Sequence, residues 1–240
     1  MAQNQGFTVW LTGMSCTGKS TLAQYVAARL RQVDRNVEIL DENTLLDDFW
    51  AQQEESKEDR NNLVRRLGLL ASMLSRNNVA ALVASVSPYK ATREENRRLI
   101  GRYVEVYVDC PTEKLIQRDS SGRYKKALTG EIPNFIGITE PYEPPYSPEV
   151  TIHSDEESIE EGGRKIFQAL LDLGYVRNDE LKTITGKPVR PKVSTQAAAR
   201  PSKSSRKSRP AKGSRKARPA ARAARVAKAS KKASGRKKSK

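Results

Sequence analysis

Eight residues near the amino end have the types and spacing that phosphate chemistry requires: Gly13-Met14-Ser15-Cys16-Thr17-Gly18-Lys19-Ser20. Glycines at both ends let the backbone turn its amide groups toward phosphate oxygens with no Cβ in the way. Lys19 sets a cation against the β and γ phosphates of a nucleoside triphosphate, and Ser20 offers its hydroxyl to Mg²⁺. A helix starting there points its positive end at the same phosphates. Gly13 to Thr21 are therefore expected to bind Mg-ATP, with Ser20 on the metal side. The pattern also arises by chance, so a strand before it and a helix after it are the context that gives it meaning.

Other residues could join that chemistry. Asp41 closes an apolar run and could orient an acceptor hydroxyl or hold water on a metal, although a solvated Asp at a strand end would read the same way. Ser87 stands at a similar place before Pro88. Cys16, beside a helix start, could be an activated thiol or a small residue chosen for packing. Asp109 precedes Cys110-Pro111 and reads as a helix cap.

These residues need elements to position them. Apolar runs at 7–11, 37–40, 79–86, 104–108 and 150–152 read as strands. Helical spacing covers 20–31, 58–76, 92–100, 112–117 and 156–173; in the second of these Leu63, Leu67, Leu70 and Leu74 form one stripe. Strands alternating with helices predict an α/β fold with a mainly parallel sheet flanked by helices, whose ligands sit at the carboxyl ends of the strands. Residues 119–149, rich in Gly, Pro and Tyr, are expected to be a lid or binding loop.

The chain carries 44 Lys and Arg against 28 Asp and Glu, but 21 of the basic residues and none of the acidic ones lie in 187–240. The body is mildly acidic, and the high isoelectric point belongs to the tail. The expected organisation is a domain over 1–178, then a linker and disordered tail over 179–240, because Ala, Pro, Ser, Lys and Arg cannot bury enough apolar surface to offset ordering entropy. Such a tail suits nucleic-acid phosphates bound by counterion release; with no aromatic residue it is not built to stack bases. A solubilising extension is the plainer alternative. No apolar run is long enough to span a bilayer. Two cysteines outside any metal-ligand spacing and the lack of a secretory leader pattern predict a cytoplasmic protein.

Longer stretches carry a resemblance. They begin with Gly6-Phe7-Thr8-Val9-Trp10-Leu11-Thr12-Gly13 and continue through Glu58-Asp59-Arg60, Arg65-Arg66-Leu67-Gly68 and Val86-Ser87-Pro88-Tyr89. Most specific is Tyr124-Lys125-Lys126-Ala127, leading to Gly130-Glu131-Ile132-Pro133-Asn134-Phe135-Ile136-Gly137-Ile138 and Pro141-Tyr142-Glu143-Pro144-Pro145. Over residues 6–175 the chain resembles the adenylylsulfate kinases, which move the γ-phosphate of ATP to the 3′-hydroxyl of adenylyl sulfate. The resemblance implies a P-loop kinase fold, ATP and Mg²⁺ as cofactors, adenylyl sulfate as substrate and a homodimer. It implies catalytic roles for Lys19, Asp41 and Ser87. It also implies an acceptor site built from Asp41, Arg60, Ser87, Lys125, Phe135, Gly137 and Ile138. Ser87 matches a position described as a phosphoserine intermediate, but direct in-line transfer needs no protein nucleophile, so its role stays open.

The chain departs from that pattern at one corner. Where the family reads Asp-Gly-Asp with an arginine three residues on, this chain has Asp41-Glu42-Asn43 and Leu46, and Leu63 replaces an asparagine. A side chain takes the glycine's place near the phosphates, and a bidentate anion clamp is lost. Two alternatives follow: a kinase of another small hydroxyl acceptor, or a nucleotide- and nucleic-acid-binding protein without catalysis.

Overall fold

The computed structural model describes residues 5–49 and 56–186; of the linker and tail expected over 179–240, residues 187–240 lie outside them. Five strands form one sheet: β1 (Phe7–Thr12), β2 (Val37–Asp41), β3 (Ala80–Ala84), β4 (Tyr103–Asp109) and β5 (Val150–His153). Their order is β2-β3-β1-β4-β5, and every pairing is parallel, with Val9 between Leu82 and Val104. All five carboxyl ends therefore open on one edge, where the loops gather.

Period-two alternation divides β1 between two layers. Phe7, Val9 and Leu11 enter a core with Leu22, Val26 and Leu30 of α1 (Lys19–Arg31) and with Ile166, Phe167 and Leu170. Those last three belong to a later helix, Ile159–Asp172, which starts on a capping box between Ser158 and Glu161. Trp10 faces the other layer with Leu63, Val64, Leu67 and Ala71. Two polar side chains of that face pair across it: Thr8 bonds Ser75 at 2.8 Å and Trp10 Nε1 donates to Ser87 Oγ at 3.0 Å.

α2 (Glu42–Phe49) and α3 (Lys57–Arg76) follow β2. Ser56 caps α3 by accepting from Asp59 N at 3.2 Å. The buried stripe of α3 is Leu63, Val64, Leu67 and Ala71 rather than the expected 63-67-70-74, since Leu70 is partly exposed. α4 (Lys90–Ile100) joins β3 to β4, and α5 (Thr112–Arg118) and α6 (Arg123–Leu128) precede β5. The helix at Ile159–Asp172 is α7, and α8 (Asn178–Gly186) ends the described chain.

Three elements differ from expectation. β3 stops at Ala84, and Ser85 to Tyr89 leave the sheet, with Ser87 at φ 43°. α6 lies inside the stretch read as loop. Packing continues past residue 178: Ile184 of α8 is 1% exposed in the core, Arg35 grips Glu180 with two bonds of 2.8 and 2.9 Å, and Arg29 Nη1 donates to Ile184 O at 2.8 Å. Two arginine anchors hold a helix that a low-hydropathy segment did not announce.

Candidate active site

The phosphate loop spans the gap between β1 and α1. Gly13 is irreplaceable there on geometry alone, because a Cβ would stand 2.3 Å from Val108 O at the exit of β4. Gly18 caps α1 in the left-handed region at φ 96°. Cys16 also turns left-handed, at φ 65°, without being glycine. Lys19 is 9% exposed, and its Nζ donates to Gly13 O at 2.9 Å and Met14 O at 2.7 Å. Burial pushes its ammonium down to about 8, and the carboxylates of Glu42 and then Asp41 oppose that fall. Burial, then the charge of Asp119, pushes the Cys16 thiol up, so the activated-thiol alternative finds no support.

A cleft of about 390 Å³ opens in front of this loop. Glu42 and Asn43 border it from the β2 exit, Ser85 and Val86 from the β3 exit, and Arg123, Tyr124 and Phe135 from the opposite side. Glu42 Oε2 accepts the Val86 N–H at 2.7 Å, tying the two strand exits together.

The expected loop at 119–149 lies over the phosphate loop. Tyr124 OH donates to Ser15 O at 2.9 Å, and its ring meets Phe135 edge-on at 4.8 Å. Gly137 turns left-handed at φ 90°, which favours glycine, and a Cβ there would fall 2.5 Å from Met14 Sδ and push that side chain aside. Arg60 Nη2 donates to Asn134 O at 2.6 Å, joining α3 to the lid. Farther along, Tyr142 OH lies 2.8 Å from Thr12 Oγ1. Arg93, 2% exposed, donates to Ser87 O at 2.6 Å, Glu143 O at 2.7 Å and Glu105 Oε1 at 3.0 Å. A buried guanidinium thus fixes the base of the lid to β4.

Two more hollows flank the loop. One, about 210 Å³, runs past Gly18 and Thr21 to Ile152, Ser154 and Ile159; Arg118 crosses it, donating to Ser154 O at 2.7 Å. The other, about 420 Å³, lies between Met14, Gly137, Ile138 and the stacked rings of Tyr107 and Tyr142. Among the described residues no group of three or more His, Cys, Asp or Glu could hold a metal, and no helix is long and apolar enough to cross a membrane.

The family model for Adenylylsulphate kinase matches residues 5–153. The chain belongs to that family. It is 43% identical over 174 residues to the adenylyl-sulfate kinase of Rippkaea orientalis, covering 72% of this chain and 96% of that protein. The fold superposes with a TM-score of 0.66 on the Mycobacterium tuberculosis APS kinase CysC solved in complex with AMPPNP and APS. That match has 33% identity and covers 69% of this chain and 98% of the other. A hexameric APS kinase from Thiobacillus denitrificans matches with a TM-score of 0.56 and 32% identity over 73% of this chain and 30% of its own.

Against the adenylylsulphate kinase pattern, the expected residues divide. Ser15, Cys16, Gly18, Lys19, Ser20 and Thr21 border the main cleft, and Phe135 faces them. Met14 turns to the lid with Gly137 and Ile138, while Thr17 is buried with its hydroxyl on Met14 O at 3.0 Å. Asp41 is absent from the lining; its Oδ1 accepts from Asn43 N and Nδ2 at 3.0 and 3.3 Å. Ser87, 1% exposed, is held between Trp10 Nε1 and Ser85 Oγ, the latter at 2.8 Å, and does not reach the cleft. A phosphoserine there would displace a buried tryptophan contact. Lys125 is exposed on α6, outside the cleft, where Tyr124 lines it instead. Asp109 accepts from Cys110 N and Tyr107 OH, both at 2.9 Å, and makes no cap to α5. Leu63 is core, packed with Trp10; the side chain of Leu46 lies outside the described ones. Ser85 and Arg118 were missed by sequence reasoning, while Glu42 was noted only as a departure and Tyr124 only as part of the lid block. Glu42, one residue beyond a strand end, and Tyr124, in the family's lid motif, both carried a signal.

Proposed function

We propose that this chain is an ATP-dependent kinase that phosphorylates the 3′-hydroxyl of adenylyl sulfate to give 3′-phosphoadenylyl sulfate. The observation that carries the reading is the aromatic lid, Tyr124 on Phe135, seated on a complete phosphate loop. The amides of 13–18 and the start of α1 hold the triphosphate, and Lys19 leaves its loop carbonyls to bind the β and γ phosphates. The nucleoside base takes the hollow beyond Gly18, between Ile152, Ile159 and the Arg118 plane. The acceptor lies between Phe135, Arg60 and the exits of β2 and β3. Closing the lid excludes water, which protects the γ-phosphate from hydrolysis and strengthens each charge contact.

Mg²⁺ fits the donor set. Ser20 supplies a hydroxyl on the lining of the cleft. Few protein donors is what a cation held mainly by phosphate oxygens and water requires. When bound it neutralises the charge of the transferring group.

Purified full-length protein with ATP, Mg²⁺ and adenylyl sulfate is expected to form 3′-phosphoadenylyl sulfate, read by chromatography. No product above background would remove the reading. A second acceptor class, another small hydroxyl compound, is favoured by one observation, the Glu42 carboxylate where the family has glycine. The enzyme is placed in the cytoplasm on the pairing of an ATP site with two unbridged cysteines, Cys16 and Cys110, and as a homodimer on the family resemblance. The 21 basic residues of 187–240 are assigned to nucleic-acid phosphates; removing them should abolish salt-sensitive DNA binding and leave turnover intact.

A further inference from the structure

The exit of β3 is held more tightly than a connecting turn needs. Ser85 N donates to Leu11 O at 3.2 Å, and Thr12 Oγ1 donates to Val86 O at 2.8 Å. Arg93 Nη1 holds Ser87 O at 2.6 Å, and Ser87 itself is left-handed at φ 43°, a conformation that a Cβ makes costly. That turn sends the Ser87 hydroxyl back into the fold, where it joins a chain of hydrogen bonds with one direction. The chain starts from a fixed point, since Trp10 is fully buried and stacked on Tyr103. An indole can only donate, and Trp10 Nε1 gives its hydrogen to Ser87 Oγ at 3.0 Å. Ser87 gives its own hydrogen to Ser85 Oγ at 2.8 Å. Ser85 is 1% exposed, yet it lines the main cleft together with Lys19 and Ser20. Among the described residues no group accepts the hydrogen of the Ser85 hydroxyl. A buried donor without a protein acceptor, fixed in the wall of a phosphate cleft, is matched to a ligand oxygen. We propose that Ser85 is a catalytic hydrogen-bond donor to the phosphoryl group in transit, aimed and polarised through Ser87 by Trp10.

This deepens the phosphotransfer reading above and rests on it. The acceptor oxygen bonds the γ-phosphorus, the bond to the β–γ bridging oxygen breaks with its electron pair left on ADP, and the acceptor's proton passes to water. Charge is then spread over the three other oxygens of the transferring group. Lys19 meets them from the phosphate loop, and Ser85 meets them from the β3 exit, keeping its own hydrogen throughout. Because Ser85 Oγ already accepts from Ser87, its hydroxyl is polarised to donate more strongly. No residue takes its hydrogen, so nothing activates it as a nucleophile. Ser87 becomes a positioning residue that acts from the core without entering the cleft.

The test compares wild type, Ser85→Ala, Ser85→Cys and Ser87→Ala in the full chain, with circular dichroism to confirm folding. Ser85→Ala is expected to lower kcat with ATP and adenylyl sulfate by about 10- to 100-fold, while the calorimetric Kd for ADP stays within about threefold. Ser85→Cys keeps a side chain in place but donates weakly; it should lose rate in the same way, and it replaces the alanine variant if that one does not fold. Ser87→Ala should lose less than Ser85→Ala, because the Ser85 hydroxyl remains but is no longer aimed. A merely structural role would weaken ground state and transition state alike, so binding of ADP with Mg²⁺ and aluminium fluoride, a mimic of the phosphoryl group in transit, is measured beside ADP. Ser85→Ala should weaken that complex about tenfold more than it weakens ADP, and Ser87→Ala should do so to a smaller extent. A kcat within threefold of wild type for both Ser85 variants, or an equal loss of ADP and of the aluminium fluoride complex, overturns the proposal. If wild type forms no 3′-phosphoadenylyl sulfate, the acceptor reading falls, and the aluminium fluoride comparison alone decides Ser85.

Discussion

The phosphate loop and the acceptor side face each other across one cleft but are built from different material. The loop is made of backbone: glycine at 13 under a β4 carbonyl, left-handed turns at Cys16 and Gly18, and a lysine folded onto loop carbonyls. The acceptor side is made of side chains: Glu42 on Val86, Arg60 on Asn134, Arg93 on Glu105 and Glu143, Tyr124 on Phe135. A backbone cradle leaves little room for variation, since its geometry demands particular residues at fixed spacing. Side-chain props can be exchanged as long as some other pair joins the same two segments. That difference lets one chain keep a complete phosphate motif while its β2 corner departs from the family pattern.

The largest effect is expected at Lys19, whose ammonium supplies the backbone cradle with its side-chain charge. Lys19→Ala is expected to lower kcat/KM by about 100- to 1,000-fold, the range seen when one transition-state charge partner is removed. The measurement is product formation at matched protein, with circular dichroism to confirm folding. A loss below tenfold would mean that loop amides and the metal carry the charge without it.

Next comes the prop behind the lid. Glu105→Ala leaves Arg93 charged and buried with its main partner gone. Removing one member of a buried ion pair costs about 3–5 kcal/mol, which corresponds to a drop in melting temperature of roughly 10 °C for a domain of this size. Lid function should fail with it, so the KM for the acceptor should rise more than that for ATP. An unchanged melting temperature would show that the carbonyls of Ser87 and Glu143 alone satisfy Arg93.

How much of this was legible follows the same division. β1, β3 and β4 announced themselves as apolar runs because both sheet faces are covered, and the phosphate motif announced its loop because backbone geometry selects residue type. α8 was not legible: Ile184 and Glu180 are ordinary in sequence, and their value comes from Arg29 and Arg35, about 150 residues away. Ser87 and Asp41 were read as site residues from their places after strands. Whether a side chain points to the cleft is decided by φ 43° at one and by the Asn43 contact at the other, and neither leaves a mark in composition. Leu63 looked like a loss from the acceptor site and is a gain to the Trp10 core.

A smaller effect is expected from pH, which acts on the buried lysine of the loop. Without nucleotide, burial holds the Lys19 ammonium near 8, below its unfolded value of 10.5. Between those two values the unfolded chain binds more protons, so stability at this site rises as pH rises through that window. Wild type should therefore gain on Lys19→Met by about 3 kcal/mol between pH 7.5 and 10.5, read from urea midpoints. Saturating ATP should flatten the difference, because phosphates favour the charged lysine. A flat difference without ATP would mean that Glu42 and Asp41 already cancel the burial.

The smallest effect is expected at Cys16, where loop geometry and thiol chemistry pull apart. A helix start lowers a thiol's pKa when the thiol faces the amides. Here the left-handed turn at φ 65° sets Cys16 in the cleft beside Asp119, and burial and that carboxylate together raise it. Iodoacetamide at pH 7.5 should therefore alkylate Cys16 more slowly than free cysteine, by a few-fold, as the thiolate fraction falls. ATP should slow it further by covering the loop, and Asp119→Asn should restore part of the rate. Alkylation faster than free cysteine would show that Lys19 and the α1 amides, not Asp119, set the field at this residue, and the backbone cradle would then reach into side-chain chemistry as well.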